Sequence, residues 1–426
     1  MIEPSRVLPG NAAERRAALW SFAYFFVLLA SYYVLRPLRD QMGITGGVRT
    51  LPWLFTATFI TLLAVQPLYG ALVAALPRVR FIPVVYHFFA ANLLIFWAAF
   101  SFGAHAAVIA RVFFVWVSVF NLFAVTVFWS LMADLFSSEQ GKRLFGFIGA
   151  GGTAGALLGP LITVTLAGRL GPVNLLLIAT AFLELAVFCV YRLEHASHAL
   201  DKAQPAETAR LGGGAFAALP ALLRSPYLLG VSLWVSLLSL SATILYLAQA
   251  HLVAAGVHGA GAQTRIFASI DLMVSVLTLA TQIFATGPLL ARFGIGIAAA
   301  ALPLVYIGAF AALALAPWLA FIIVIQIAQR WANFAIANPA RQVLFTVIGR
   351  EEKYKAKNLI DVVVYRGSDA LSGWVFHSLE WLGLKLGMIA LCALPLAGGW
   401  FLLSLALGRA QARRAARRAA RGMVSA

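Results

Sequence analysis

Two arginines and an aspartate in the stretch SYYVLRPLRDQMG are the residues whose types and spacing best suit binding chemistry. Arg36 and Arg39 are three residues apart, and Arg36 and Asp40 are four apart, so all three share one helix face. Tyr32 extends that face by one turn. Because a guanidinium binds phosphate or carboxylate through a two-pronged fork, this face predicts contact with an anionic solute. The alternative is that the helix ends near Leu35 and the charges only mark its end.

Two later stretches, FIIVIQIAQRWANFAIANPAR and IDVVVYRGSDALSG, repeat this mixture of polar side chains. In the first, Arg330 lies between Gln326 and Asn333 at helical spacing. In the second, Arg366 can pair with Asp369 three residues later. The candidate substrate-binding residues are Tyr32, Arg36, Arg39, Asp40, Asn121, Gln326, Arg330, Asn333, Tyr365, Arg366 and Asp369.

The composition places these residues in a membrane. Of the 426 residues 62% are hydrophobic and 11% are charged. Apolar runs of roughly 20 residues recur along the chain, each long enough to cross ~30 Å of hydrocarbon as a helix. They lack the alternation of a transmembrane barrel. We therefore predict an all-α polytopic membrane protein with twelve transmembrane helices, in which the polar stretches occupy spans 17–40, 317–339 and 359–382.

The longest polar interval divides the predicted spans six and six. The expected parts are a six-helix bundle at 1–192, a cytoplasmic linker at 193–225, a second bundle at 226–408 and a basic cytoplasmic tail at 409–426. Glu-x-x-Lys recurs at Glu139 and Glu352, 213 residues apart, and the same shift brings Asn121 within one residue of Asn333. Two six-helix pseudo-repeats related by an axis along the membrane normal form a major facilitator-like arrangement, with a cavity expected between the halves.

Positive charge is distributed unevenly between the loops. The side that carries the termini has 23 lysines and arginines against 7 on the other, which predicts cytoplasmic termini in a bacterial inner (cytoplasmic) membrane. The flanks of the first span favour a retained helix over a cleaved signal peptide. We expect the tail RAQARRAARRAAR to contact anionic membrane lipid at ~1 kcal/mol per arginine. We expect a monomer and, despite the net charge of +17, no nucleic-acid partner.

Charges inside the spans are functional candidates, since each costs ~2.5–3.5 kcal/mol at a helix centre. Asp40, Asp271 and Asp369 are candidates for ion or proton coupling. The surplus of arginine over acid predicts an anionic solute, although any single Arg–Asp pair can be purely structural. The candidate cytoplasmic gate residues are Glu139, Lys142, Arg143, Glu352 and Lys355.

Enzymatic motifs are not found in the sequence. It has no Gly-x-x-x-x-Gly-Lys-Ser/Thr phosphate loop, its seven histidines lack zinc-type spacing, and no Ser-His-Asp set can be argued. We expect no enzyme activity, no metal and no cofactor.

Glycines recur every four residues in GFIGAGGTAGALLGP. Gly151, Gly155 and Gly159 share one helix face, where a neighbouring backbone can approach closely. With Gly146 and Pro160, two of them also resemble the fifth-helix glycine motif of major facilitator antiporters. Helix packing and an antiporter motif remain equal alternatives.

Three stretches resemble the ATP/ADP translocases, a family of nucleotide transporters: YYVLRPLRDQMGI, SSEQGKRLFGFIGAGG and REEKYKAKNLIDVVVYRGSDALSG. The resemblance implies a twelve-helix facilitator-like fold, exchange of nucleotides such as ATP and ADP, and basic residues that hold phosphates. The chain departs from the family pattern at Pro37 and Arg39, and it has no acid near Ala248 in the seventh span. The positions that match the family pattern are Arg36, Asp40, Lys142, Arg143, Lys355, Lys357, Ile360, Asp361, Val362, Arg366, Ser372 and Gly373.

Together these features predict a secondary active transporter that moves an anionic, phosphorylated metabolite by alternating access, with ATP or ADP favoured. A facilitator-fold exporter of another small solute and a non-transporting membrane scaffold or lipid-handling protein remain alternatives. Efflux of organic cations would require an acidic cavity, which the buried arginines disfavour.

Overall fold

The computed structural model describes residues 12–75, 78–103, 105–197, 219–348, 356–357 and 359–424. Helices make up nearly all of this part of the chain, and it contains no strand. The α-helices are α1 (Ala12–Thr45), α2 (Leu51–Ala75), α3 (Arg78–Phe102), α4 (Ala106–Leu135), α5 (Ser138–Leu170), α6 (Leu175–Ser197), α7 (Leu219–Arg224), α8 (Pro226–Gly256), α9 (Ala260–Phe284), α10 (Thr286–Leu315), α11 (Leu319–Ala332), α12 (Asn338–Leu344), α13 (Tyr365–Trp381) and α14 (Leu386–Val424). Short 3-10 turns occur at Val48–Thr50 and Phe345–Val347, and π-helical segments occur at Asn333–Ala337 and Leu359–Val364.

Eleven helices in the described part are long and apolar enough to cross a membrane. The predicted eleventh span, 359–382, is not among them, because its regular helix α13 has 17 residues and carries Arg366, Asp369 and Glu380. The predicted all-α, polytopic fold class is confirmed. The last helix differs from expectation at its end, since α14 continues without a break through the predicted tail as far as Val424.

The chain divides into two compact units that do not follow chain order. Unit 1 consists of Met1–Gly47, Ile60–Ala209 and Val257–Leu272. Unit 2 consists of Val48–Phe59, Arg210–Gly256 and Met273–Ala426. The boundaries fall inside α2 and α9, so each of these helices contributes to both units.

In unit 1, the glycine stripe of α5 packs against α1. A Cβ atom on Gly151 would meet the carbonyl oxygen of Phe22, and one on Gly155 would meet the backbone of Phe26 and Ala30. Small residues are needed where two backbones come this close, because a Cβ would force the helices apart. The predicted packing role of the stripe is therefore observed.

Aromatic side chains fill the rest of the unit 1 core. Phe25 of α1 stacks on Phe128 of α4 with ring centroids 4.1 Å apart, and Tyr24 meets the same ring edge-on at 4.9 Å. All three are buried. This packing fixes the rotation of α1 and hence the direction in which its charged face points.

In unit 2, α14 lies against α10 and α8. A Cβ atom on Gly408 would meet the backbone of Gly296, so α14 and α10 cross at two glycines. Trp400 contacts Trp234 at 5.5 Å, and Trp234 donates its indole N–H to the Ser404 hydroxyl at 2.9 Å. The donor of this buried indole is therefore satisfied inside the bundle.

A π-helical segment interrupts the predicted tenth span, 317–339, because of Pro339. Proline has no N–H to donate to a carbonyl one turn earlier. Two side chains replace that donor: the Thr286 hydroxyl donates to the Ala335 carbonyl at 2.8 Å, and the Gln282 amide donates to the Phe334 carbonyl at 3.3 Å. Carbonyls that would otherwise lack a donor in hydrocarbon are thus satisfied by neighbouring helices.

Candidate functional site

Arg36 and Asp271 form an ion pair in unit 1. Arg36 lies on α1 and Asp271 on the part of α9 that belongs to the same unit, and Arg36 Nε is 3.8 Å from Asp271 Oδ2. The Asp271 side chain is 1% exposed and the Arg36 side chain 17%. At 3.8 Å the contact is too long for a hydrogen bond, so the pair is held by charge attraction alone.

Arg39 and Asp40 form a second, tighter pair. Arg39 donates from Nε at 3.0 Å and from Nη2 at 2.6 Å to Oδ1 of Asp40. The guanidinium also lies over the Phe114 ring of α4, 5.1 Å from its centroid. Both arginines of the predicted charged face of α1 therefore have an acidic partner.

Two other predicted residues of unit 1 lie on α1 and α4. Tyr32 is buried, with its ring against that of Tyr33 at 5.2 Å, and it interacts electrostatically with Arg36. Asn121 is half-buried on α4. The contact of both residues with a solute remains a prediction.

Asp369 is the centre of a polar cluster in unit 2. Its Oδ1 accepts a hydrogen bond from the Ser239 hydroxyl at 2.6 Å and lies 3.4 Å from the Thr243 hydroxyl. Its Oδ2 is 3.4 Å from Nη1 of Arg366. The Ser239 oxygen is also 3.1 Å from the Tyr365 carbonyl. α8 and α13 are thus joined by hydroxyl, carboxylate and guanidinium groups.

The hydroxyls of α8 were not among the predicted site residues. They belong to a stripe in the sequence VSLWVSLLSLSATILYL, where Ser232, Ser236, Ser239 and Thr243 follow one another at spacings of four, three and four. This periodicity places them on one helix face. Ser236 accepts a hydrogen bond from Ser368 of α13 at 3.0 Å, so the stripe faces α13 over two turns.

Gln326 lies in a hydrogen-bonded chain that crosses three helices of unit 2. Tyr306 donates to Gln329 at 2.7 Å, Gln329 donates to Gln326 at 2.7 Å, and Gln326 donates to the Leu245 carbonyl at 2.9 Å. Gln326 is 3% exposed. Its amide therefore joins α11 to α8, and Gln329 extends the chain to α10. Sequence reasoning had not assigned Gln329 or Tyr306 to this chain.

The remaining predicted residues of this region are partly accessible. Arg330 and Asn333 are half-buried, and Asn333 begins the π-helical segment. Tyr365 is also half-buried and lies beneath the Arg366 guanidinium, 5.6 Å from ring centroid to Cζ.

The predicted gate residues are only partly described. Arg143 lies 3.5 Å from Glu14, a residue of its own unit, and Glu139 is exposed. The side chain of Lys142, together with Glu352 and Lys355, lies outside the described residues. The gate therefore stays a prediction.

The predicted surplus of arginine is smaller than the sequence suggests. In unit 1, Arg36 and Arg39 have Asp271 and Asp40 as partners, so these charges balance. In unit 2, Arg366 has Asp369 as its partner. An anion would therefore have to compete with an aspartate for most of these guanidiniums.

Across the part of the chain that the structure describes, no group of three or more His, Cys, Asp or Glu residues could hold a metal ion. The polar clusters are instead built from arginine, single aspartates and hydroxyls. Such groups favour anions and protons over transition metals.

The fold is that of known membrane transporters. A bacterial homologue of the iron transporter ferroportin is 13% identical with a TM-score of 0.66, covering 92% of this chain and 98% of its own. The nucleoside transporter NupG is 17% identical with a TM-score of 0.62, covering 94% and 99%. A bacterial homologue of the human lysosomal transporter Spinster is 15% identical with a TM-score of 0.58, covering 96% of both chains.

These identities show a shared fold and no more. No family model matches the chain, and no curated protein matches it by sequence. The chain is a multi-pass membrane protein with a major facilitator-like fold. The resemblance to ATP/ADP translocases stays a hypothesis.

Proposed function

We propose that this protein is a secondary active transporter of an anionic, phosphorylated metabolite, with nucleotides such as ATP and ADP favoured. The observation that carries the proposal is that each unit contains one arginine held by an aspartate through a long contact. These are Arg36 with Asp271 at 3.8 Å and Arg366 with Asp369 at 3.4 Å. In both pairs the arginine is the more exposed partner.

A long ion pair leaves the guanidinium able to change partners. Arg36 contacts its aspartate through Nε, and among the described residues none accepts a hydrogen bond from its terminal nitrogens. A phosphate would offer two oxygens to that fork, which makes shorter and stronger hydrogen bonds than the present contact. The aspartate neutralises the arginine while no solute is bound, which keeps the cost of a charge in the membrane low.

Transport would then proceed by alternating access, the mechanism associated with facilitator-type folds. The solute's negative charge would be neutralised by arginine during its passage. In this reaction the protein binds, orients and dehydrates the solute without changing its covalent bonds.

The test is uptake into liposomes together with thermal stability measured against a panel of nucleotides, sugar phosphates and organic cations. We expect anionic, phosphorylated compounds to stabilise the protein and to exchange across the membrane. Arg36→Lys and Arg366→Lys keep the charge but remove the fork, so uptake below saturation should fall by ~10–100-fold, the equivalent of one charged hydrogen bond.

Arg49→Lys is the matched control, since Arg49 is exposed in the 3-10 turn before α2 and makes no described ion pair with an aspartate. It should transport at the wild-type rate. Stabilisation by organic cations alone, or wild-type uptake in both test variants, would contradict the anion assignment. Absence of any solute effect across the panel would favour the alternative of a membrane scaffold or lipid-handling protein. Transport of an uncharged solute would favour the alternative of a facilitator-fold exporter of another small solute.

We further propose an inner-membrane location with cytoplasmic termini, where the basic end of α14 meets anionic lipid. Arg409, Arg413, Arg414 and Arg417 are exposed, and Arg414 lies over the Tyr227 ring at 4.5 Å. Replacing all four by Gln should reduce the anionic lipid that copurifies with the protein or binds it in mixed-lipid nanodiscs, since each contributes ~1 kcal/mol near a charged surface. Unchanged enrichment of anionic over zwitterionic lipid would contradict this role.

A further inference from the structure

In the hydroxyl–carboxylate cluster between α8 and α13, the Ser239 hydroxyl has one hydrogen and two acceptors within reach. The Ser239 oxygen is 2.6 Å from Asp369 Oδ1 and 3.1 Å from the Tyr365 carbonyl oxygen. Both distances are suitable for a hydrogen bond, but a serine hydroxyl carries one hydrogen and can donate to only one of them at a time. The cluster therefore has two arrangements, and the proton on Asp369 decides between them.

With Asp369 ionised, Ser239 donates to the carboxylate. With Asp369 protonated, the carboxyl O–H donates to the Ser239 oxygen, and the serine hydrogen turns to the Tyr365 carbonyl. All three groups are hydrogen-bonded in the second arrangement. The pair of Asp40 and Arg39 cannot rearrange in this way, because Arg39 donates to Asp40 but cannot accept a hydrogen bond from a protonated carboxyl.

Arg366 is the charged group that faces Asp369. α8 faces it with the hydroxyls of Ser239 and Thr243. The preceding π-helical segment carries Asp361, which pairs instead with Arg341 at 3.1 Å. α14, which also packs near α13, carries no charge before Arg409. Removing the charge of Arg366 from Asp369 would therefore favour uptake of a proton by the carboxylate.

We propose that Asp369 is a proton-binding site whose occupancy is coupled to the binding of an anion at Arg366. The coupling rests on the proposed function, whereas the proton site does not. The anion takes Arg366 as its partner, and Asp369 gains a proton from the aqueous phase. Arg366 then neutralises the anion, and the proton neutralises Asp369, so no unpaired charge remains in the cluster. Because each binding event favours the other, the solute and the proton move together.

Infrared difference spectroscopy of the full chain in nanodiscs at stepped pH tests the proton site directly. We expect a carbonyl stretch from one protonated carboxyl that Asp369→Asn removes. Ser239→Ala should keep this band but move it to higher wavenumber, because the protonated carboxyl loses the shortest of its hydrogen bonds. Ser232→Ala, on the same helix but without a contact to Asp369, should leave the band unchanged.

Addition of the anionic compounds at constant pH tests the coupling. A transported anion should increase the Asp369 band in the wild type and not in Arg366→Gln. A spectrum that is identical in wild type and Asp369→Asn would overturn the proton site. Transport of an anion without any change in the band would overturn the coupling while leaving the proposed function intact. A titrating band in a protein that neither binds nor transports the panel would refute the proposed function and the coupling, but support the proton site.

Discussion

Arg36→Gln should lower the free energy of unfolding by ~3–5 kcal/mol, the usual cost of breaking a buried ion pair. The substitution removes the partner at 3.8 Å from the carboxylate of Asp271, which is 1% exposed. Asp271→Asn should cost less, because Arg36 is 17% exposed and can move its charge toward solvent. Unfolding titrated with a denaturing detergent measures both effects.

The double variant Arg36→Gln/Asp271→Asn should recover most of the loss, since no charge then remains buried. Arg143→Gln is the matched control. It breaks a pair with Glu14 in which the arginine is 43% exposed, so its effect should stay within ~1 kcal/mol. Losses that simply add in the double variant would show that Arg36 and Asp271 are not coupled.

Gly155→Ala should destabilise the protein by ~1–3 kcal/mol and lower its yield in the membrane, as overpacking does in a close-packed core. The new Cβ would meet the backbone of Phe26 and Ala30, and backbone cannot rotate away as a side chain can. The measurement is the thermal unfolding temperature in detergent, with the yield of inserted protein beside it.

Gly146→Ala is the same change on the same helix at a position where a Cβ meets nothing within 4 Å. It should be neutral or stabilising, because alanine favours a helix over glycine by ~1 kcal/mol. Equal behaviour of the two variants would show that the close approach of α5 to α1 contributes no stability. An antiporter role of the motif would instead change the exchange rate in both variants at unchanged stability.

Features set by local spacing were predictable from the sequence. Gly151 and Gly155 share a face at any helix rotation, and the structure places that face against α1. Arg366 and Asp369 are three residues apart and do form a pair. Hydropathy was sufficient for eleven of the twelve predicted spans, because hydrocarbon leaves few alternatives to a helix.

Contacts between distant segments were not predictable. Nothing in the sequence connects Arg36 with Asp271, 235 positions later, because the pairing depends on how α1 and α9 pack in unit 1. Ser239 was overlooked because serine is common in membrane helices, and only its distance to Asp369 gives it a role. The π-helical segment before Pro339 likewise depends on Thr286, whose hydroxyl reaches it from another helix.

Because α14 is an unbroken helix, its arginines lie at fixed distances along the helix axis. Each residue adds 1.5 Å along the axis, so Arg417 stands ~14 Å beyond Gly408, where the predicted span ends, and Arg409 stands ~1.5 Å beyond it. The field of a charged lipid surface decays over ~8 Å at physiological ionic strength. If α14 stands upright, Arg409 is within that field at any ionic strength, whereas the contribution of Arg417 grows as the ionic strength falls and the field extends further from the lipid. Ionic strength therefore decides how many of the four arginines contribute to lipid binding.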